Sequence, residues 1–290
     1  MGITDILNRT YVSWMDAAGP ESDIVISTRV RLARNLNQLP FPHLTDEATG
    51  KQLMQKIRAA LPENEEGIFR GLELVSLSQL SPLDRTILVE KHLISPEHAE
   101  SNSPYRGVGV NYDGSVAIML NEEDHLRIQC LLSGLQVNQA YKYAQTVDDK
   151  LEESLDYAFD SRRGYLTACP TNVGTGMRTS VMLHLPATAM TNQINSLIQN
   201  VTQFGLTVRG MYGEGTEATG RFYQVSNQVT LGQTEEDIIN NLWTVVIQIV
   251  EQERYLRNGL LKEMKFQLED RILRSYGLLT NARMITSNEA

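Results

Sequence analysis

The sequence predicts an α+β fold: one antiparallel sheet whose strands are interrupted by long helices packed on one of its faces. Three observations carry that expectation. An Asp113-Gly114 turn joins two apolar runs within residues 108–119, a hairpin signal. Strand-type runs also flank the charged stretch 121–127, so a second pair of neighbouring strands follows the first. Between and beyond these runs lie longer segments whose apolar residues recur at helical spacing.

The elements follow in order. Residues 1–23 form a short amphipathic lead, with Ile6, Leu7, Tyr11 and Trp14 at helical spacing, broken by Gly19-Pro20. The next segment begins as a strand and alternates Arg29 and Arg31 with Val30 and Leu32, which puts both arginines on one strand face. Residues 45–62 predict a helix that Thr45 can cap, lined by Leu53, Ile57 and Ala60 and stopped by Pro62. A strand is expected over 71–77, a helix over 83–90, the hairpin over 108–119 and a strand from Arg127 to Leu132. Residues 136–159 carry an apolar stripe that includes Val137, Ala140, Ala144, Val147, Leu151 and Leu155, a long amphipathic helix. A short strand at 165–168 runs into a loop rich in Gly and hydroxyl groups, whose backbone N–H groups could approach an anion, and 180–185 is a buried strand. A helix over 188–204 points Ile194, Leu197, Ile198 and Val201 inward. A strand from Leu206 enters a second Gly-rich loop, and 222–226 is a further strand. Thr234 caps a helix to about 257, with Glu235, Glu236 and Asp237 in its first turn, and 260–276 is a last, charge-rich helix.

Composition narrows the function. The chain has 290 residues, of which 41% are hydrophobic and 21% charged, ordinary values for a globular protein. No apolar run approaches the ~18 residues of a membrane span. The first residues lack a basic and then apolar leader, so no secretory signal is expected. Two cysteines, Cys130 and Cys169, are too few for a disulfide framework or a Cys-based zinc site, and fit a reducing, cytoplasmic setting. A net charge of −9 argues against direct nucleic-acid binding. Of the 26 basic residues, 19 are arginine, the side chain that grips phosphate or carboxylate with two parallel N–H groups.

The most suggestive stretch is Asn121-Glu122-Glu123-Asp124-His125-Leu126-Arg127, a burst of charge at the end of a buried strand. Arg29, Arg31, Arg127, Arg178 and Arg209 each lie on or at the end of an expected strand, and Gly-rich loops flank Arg178 and Arg209. Two guanidiniums on one face repel each other unless an anion lies between them. Several arginines converging on a polyphosphate is what phosphoryl transfer requires, because its catalysis is mostly positioning and charge stabilisation. Carboxylates such as Glu123 and Glu214 suit a guanidinium acceptor, and one could take its proton. The Gly-rich loops match neither a Walker loop nor a dinucleotide fingerprint.

Four motifs together resemble the signature of the phosphagen (guanidino) kinases. They are Ser27-Thr28-Arg29-Val30-Arg31, the 121–127 stretch, Cys169-Pro170-Thr171-Asn172-Val173-Gly174-Thr175-Gly176, and Arg209-Gly210 followed by Gly213-Glu214. The likeness spans roughly residues 22–257 and implies the glutamine synthetase-like catalytic domain of that family. Creatine and arginine kinases carry a helical domain ahead of the first motif. Here only about 20 residues precede it, and the chain looks like the bacterial protein arginine kinases of this family. The implied organisation is a lead helix over 1–21, a catalytic domain over 22–257, and the start of a C-terminal helical region over 258–290 that looks truncated.

Carried over residue by residue, the resemblance implies the following roles. Arg29, Arg31, Arg127, Arg178 and Arg209 would hold the phosphates of ATP. Ser27, Thr28, Val30, His92, Thr179, Ser180, Val181, Met182, Gly210, Met211, Tyr212, Gly213 and Glu214 would complete the nucleotide site. Glu123 and Glu214 would grip the target guanidinium, with Glu123 as base and Cys169 beside it. Mg2+ would arrive with the nucleotide rather than on a protein metal site. The implied activity is phosphorylation of arginine side chains in proteins, a mark for Clp-type proteolysis and stress regulation. The implied partners are substrates with exposed arginines, a zinc-binding activator protein, a heat-shock transcription repressor and a Clp unfoldase, with a homodimer possible and no membrane contact. An Arg-Asp-x-x-Arg-Ala motif, linked in such kinases to phosphoarginine binding, is absent from this chain. Three other readings stay open at this point: a kinase of free arginine or another small guanidino compound, a Cys169-dependent guanidine hydrolase using Glu123 and a histidine, and a non-catalytic adaptor of the same fold.

Overall fold

The computed structural model describes residues 2–62, 66–210, 219–286 and 289. Its strands are β1 (Val25–Arg34), β2 (Glu73–Ser76), β3 (Gly107–Val110), β4 (Val116–Leu120), β5 (Leu126–Ser133), β6 (Phe159–Asp160), β7 (Gly164–Tyr165), β8 (Met177–His184), β9 (Leu206–Gly210) and β10 (Phe222–Asn227). Its helices are α1 (Ile3–Asn8), α2 (Glu47–Ala60), α3 (Pro82–Glu90), α4 (Pro96–Ala99), α5 (Val137–Glu152), α6 (Pro186–Met190), α7 (Ile194–Thr202), α8 (Glu235–Glu263) and α9 (Lys265–Asn281). Eight strands make one sheet in the order β2-β3-β4-β5-β1-β8-β10-β9, and β6 and β7 form a separate hairpin. Every paired neighbour is antiparallel.

β1 lies in the middle, between β5 and β8. Its period of two decides what each sheet face carries. Val30 and Leu32 enter the main core with Ile118, Ile128, Val181 and Val225 of neighbouring strands. The long helices cover this face: Ala140, Ala144 and Val147 of α5, Val201 of α7 and Leu242 and Val246 of α8 join the same core. The expected arrangement of helices on one face therefore holds for the long helices. A smaller core occupies the other face at the β3–β4 end, where Val108, Val110, Ala117 and Met119 meet Ile3 and Ile6 of α1 and Leu88 of α3. Between that patch and the β9 edge, the second face carries the polar residues of β1, β5, β8 and β10.

Several boundaries differ from the sequence expectation, each for a tertiary reason. α5 stops at Glu152 although its apolar stripe continues. The following residues pair with the chain beyond β1 instead, Ala158 N–H donating to Asn35 O and Asn37 N–H to Asp156 O. Long-range backbone pairing thus overrides helical spacing. The expected helix over 188–204 is split into α6 and α7, with Asn192 at φ 56 between them. The expected strand at 165–168 shrinks to β7. α1 ends at Asn8, and Tyr11 is 72% exposed, because the Lys91 ammonium takes the carbonyls of Ile6 and Arg9 at 2.5 and 2.6 Å. α8 crosses residue 257 without interruption, and the break before α9 falls at Met264.

Candidate active site

Register brings the arginines together. Arg29 lies opposite Leu131 and Ser180, Arg31 opposite Gln129 and Arg178, and Ala33 opposite Arg127. Arg209 lies opposite Gln224, which in turn faces Met182. All five candidate arginines therefore rise from one face and line a cavity of about 330 Å³ together with Glu123 and Cys169. An adjoining lobe of about 330 Å³ shares Arg29, Arg31 and Arg127 and is walled by His92, Ser95 and Gln129.

Among the described residues this cluster is only partly compensated, through Glu122. Burial, with Arg127 and Arg178 nearby, lowers Arg29 to about 10. Burial, then Arg29, Arg127 and Arg178, hold Arg31 well below its ordinary value, with Glu122 opposing the shift. Burial, Arg209 and Arg127 lower Arg178. Among the described residues, Arg127 alone of the five pairs with a carboxylate, that of Glu122. Arg29 donates to Gln224 Oε1 at 2.9 Å, a neutral partner. The buried Nε atoms of Arg31 and Arg178 have no hydrogen-bond partner among the described residues. Buried unsatisfied donors are rare because each costs free energy. Here they point to a ligand with many acceptor oxygens and several negative charges, and a polyphosphate fits both requirements.

The hairpin loop between β4 and β5 divides its acids by task. Asn121 takes φ 54 and closes the turn, its N–H donating to His125 O at 3.0 Å. Glu122 is held by Ser95 Oγ and by Arg127. Asp124 is 3% exposed and accepts from Asn35 Nδ2 at 2.6 Å and from Ala168 N–H at 2.7 Å. Glu123 alone of the three turns an exposed carboxylate to the cavity. Burial and the adjacent Asp124 raise its pKa, the Glu122 charge adds to this, and Arg127 opposes it. A raised carboxylate is a better proton acceptor than an ordinary one.

Asp124 does a second thing. By holding Ala168 N–H it ties the Glu123 loop to the segment that carries Cys169. The thiol of Cys169 then lies 3.0 Å from Thr171 Oγ1 and borders the same cavity as Glu123.

Two N–H groups in the Gly-rich loop after Cys169 are taken within the protein, while Thr171, Asn172 and Gly176 of the loop line the cavity. The N–H of Gly174 donates to Tyr165 O and that of Thr175 to Thr230 O, so neither is free for an anion. Gly174 has φ 112, and a Cβ there would meet Thr230 O at 2.5 Å. The glycine serves close packing. Arg34 supports the same loop from the far face, with bonds to Thr175 O at 3.0 Å and to the buried Asp148 at 2.7 Å. Its guanidinium carbon lies 3.5 Å from the Tyr165 ring centroid.

The other sequence-derived candidates separate by strand parity. Ser27, Ser180 and Met182 face the site. Thr28 bonds Gly134 O at 2.6 Å behind the sheet, Val30 and Val181 are in the main core, and Thr179 is fully buried. The side chains of those four residues do not line the cavity. Gly210 ends β9 beside Arg209. Met211, Tyr212, Gly213 and Glu214 lie outside the described residues. His92 lies next to Arg29, and burial lowers its pKa, with Arg29 adding to the shift, so it is neutral near pH 7. No histidine lines the lobe that holds Cys169. His125 is fixed elsewhere by Leu36 N–H and Pro40 O, so the hydrolase alternative lacks its imidazole.

Sequence reasoning passed over Gln224, Ser95 and Trp14 as site residues and gave Asp124, inside its most suggestive stretch, no role of its own. Parity along β10 would have found Gln224, whereas Ser95, Asp124 and Trp14 reach the site through contacts far apart in sequence.

Comparison with known proteins gives the family. The family model described as ATP:guanido phosphotransferase, C-terminal catalytic domain, matches residues 52–256. A protein named protein-arginine kinase from Syntrophomonas wolfei is 58% identical over all of this chain and 81% of its own length. One of the same name from Desulforamulus reducens is 52% identical with the same coverage. Among solved structures, the duplicated taurocyamine kinase of Schistosoma mansoni with bound transition state analog components superposes with a TM-score of 0.73 at 28% identity, covering 89% of this chain and 36% of that one. A lombricine kinase gives 0.71 at 25% identity, with 82% and 68% covered. The chain belongs to the ATP:guanido phosphotransferase family, the phosphagen kinases.

Proposed function

We propose that this protein transfers the terminal phosphoryl group of ATP to arginine side chains of proteins. One observation carries the reading: a cluster of arginines, only partly compensated among the described residues, shares a cavity with a raised carboxylate and a thiol. Relatives at 50–58% identity carry the name protein-arginine kinase, which supports a protein rather than a free amino acid as acceptor.

In this reading Arg29, Arg31, Arg127, Arg178 and Arg209 hold the phosphates and neutralise charge as it spreads over the transferring oxygens. Glu123 holds the acceptor guanidinium through paired N–H···O bonds. As the nitrogen attacks, its N–P bond forms, the P–O bond to the bridging oxygen breaks, and ADP departs with that electron pair. The proton released by the nitrogen passes to the Glu123 carboxylate. Cys169 borders the acceptor, with its loop pinned through Asp124. Mg2+ accompanies the nucleotide and supplies further charge neutralisation. The second guanidinium ligand of the proposal, Glu214, lies outside the described residues. A cytoplasmic setting, and the activator, repressor and unfoldase partners named above, belong to the same proposal. No helix among the described residues is long and apolar enough to cross a membrane.

The test is incubation of an unfolded, Arg-rich protein with ATP labelled in its terminal phosphate. Acid-labile label on the protein is expected, because a phosphoramidate hydrolyses in acid. Acid-stable label would mean transfer to a hydroxyl and would reject the reading.

A further inference from the structure

Beside the phosphate-binding arginines lies a narrow slit walled by Trp14, His92, Leu131 and Met182, with Ser27 and Gln224 at its polar edge. Its volume is about 10 Å³, room for one water and too little for a base, so any flat ligand must part its walls. The wall made by His92 is unusual in its backbone. His92 takes φ 57 at the end of α3, where its N–H donates to Val89 O and Leu93 N–H donates to Leu88 O. That is the helix-ending motif in which glycine normally occupies the left-handed position. A histidine stands there instead, one of six non-glycine residues with positive φ among those described.

Trp14 fixes this histidine. The two rings meet edge to face at 5.1 Å, and Trp14 Nε1–H donates to Lys91 O at 2.9 Å. Lys91 in turn holds the lead segment through the carbonyls of Ile6 and Arg9. Gln129 Nε2 anchors the His92 carbonyl at 2.7 Å. The lead segment and the α3 end are thus a reciprocal clamp with the two rings at its mouth. His92 sits beside the cationic Arg29 as a neutral imidazole, suited to an uncharged aromatic partner.

We propose that Trp14 is a base-recognition residue: it sets the His92 ring and, with it, forms the fixed wall against which the purine of the nucleotide packs. The inference rests on the cleft taking ATP, and it makes the lead segment part of the nucleotide site. Aromatic contact with a base discriminates a nucleotide from a bare polyphosphate, which the arginines alone would not do.

The test uses the full chain with Trp243→Phe, which removes the other tryptophan and leaves Trp14 as sole reporter. ATP should change Trp14 fluorescence saturably, while inorganic tripolyphosphate binds without that change. Trp14→Leu should weaken ATP about tenfold, ~1.4 kcal/mol, through KM, with kcat and the tripolyphosphate Kd little altered. Trp14→Phe should recover part of the ATP affinity and guards against a folding defect. Equal loss of ATP and tripolyphosphate affinity, or Trp14 fluorescence indifferent to saturating ATP while transfer proceeds, overturns the inference and leaves the kinase reading intact. If neither ATP nor tripolyphosphate binds the unsubstituted protein, the kinase reading itself fails.

Discussion

Replacing Arg29 with methionine should stabilise the protein in the absence of ligand and cripple it as an enzyme. Burial and the nearby Arg127 and Arg178 bring Arg29 to about 10, well below the ordinary arginine value. At ~1.4 kcal/mol per tenfold change, keeping it charged at neutral pH costs the fold about 3 kcal/mol. The cost is fully present below the folded value and fades as pH rises through it. Arg29→Met removes that cost. It also removes the Arg29–Gln224 bond, worth about 1 kcal/mol, and water reaching this half-buried side chain screens part of the repulsion. A net gain of about 1–2 kcal/mol remains, which for a chain of 290 residues corresponds to roughly 2–3 °C in Tm. The parent should rise by about 4 °C when tripolyphosphate reaches 100 times its Kd, a gain of ~2.7 kcal/mol, and the variant by clearly less. Differential scanning fluorimetry at low salt, with and without tripolyphosphate, reads both shifts. If the variant melts below its parent without ligand, or keeps the full ligand-induced rise, Arg29 is an architectural residue and the reasoning fails.

Other outcomes follow from the same geometry. Glu123→Gln should lower the transfer rate about 10²–10⁴-fold while leaving nucleotide Kd unchanged, since the proposal gives this carboxylate to the acceptor; a matching loss of nucleotide affinity would reject that role. The parent's acid limb of kcat/KM should lie above the ordinary carboxylate range, because Glu123 must be ionised and its pKa is raised, and a pH profile fixed at the ordinary value would contradict this. Gly174→Ala should cost about 1–3 kcal/mol and slow transfer, because its Cβ would meet Thr230 O at 2.5 Å in the loop leading to Arg178; chemical denaturation checks the first and a rate assay the second. Arg34→Met should cost about 3–5 kcal/mol by stranding the buried Asp148, and a loss below ~1 kcal/mol would mean that water reaches the pair.

Much of this was legible in the sequence where local rules suffice. The alternation of Arg29 and Arg31 with Val30 and Leu32 gave the two sheet faces, because strand period is fixed by backbone geometry. Thr234 marked the start of α8 as its cap, and the structure adds a reciprocal bond from Asp237 that closes a capping box. Within the 121–127 stretch the family resemblance singled out Glu123, but the residues by themselves did not separate it from its neighbours. Whether Glu122, Glu123 or Asp124 turns to the cavity depends on Ser95, Asn35 and Ala168, brought there only by the tertiary fold. Arg34 likewise follows Arg29 and Arg31 in sequence but falls on the opposite face, where Asp148 and Tyr165 hold it. Trp14 read as an apolar position on a lead helix, yet α1 ends before it and a separate turn delivers its ring to His92.

The most direct measurement offers labelled ATP to free arginine and to an unfolded, Arg-rich protein side by side. The account predicts acid-labile label on the protein and little on the free amino acid. Label confined to free arginine would contradict it and assign the cleft to a small guanidino substrate.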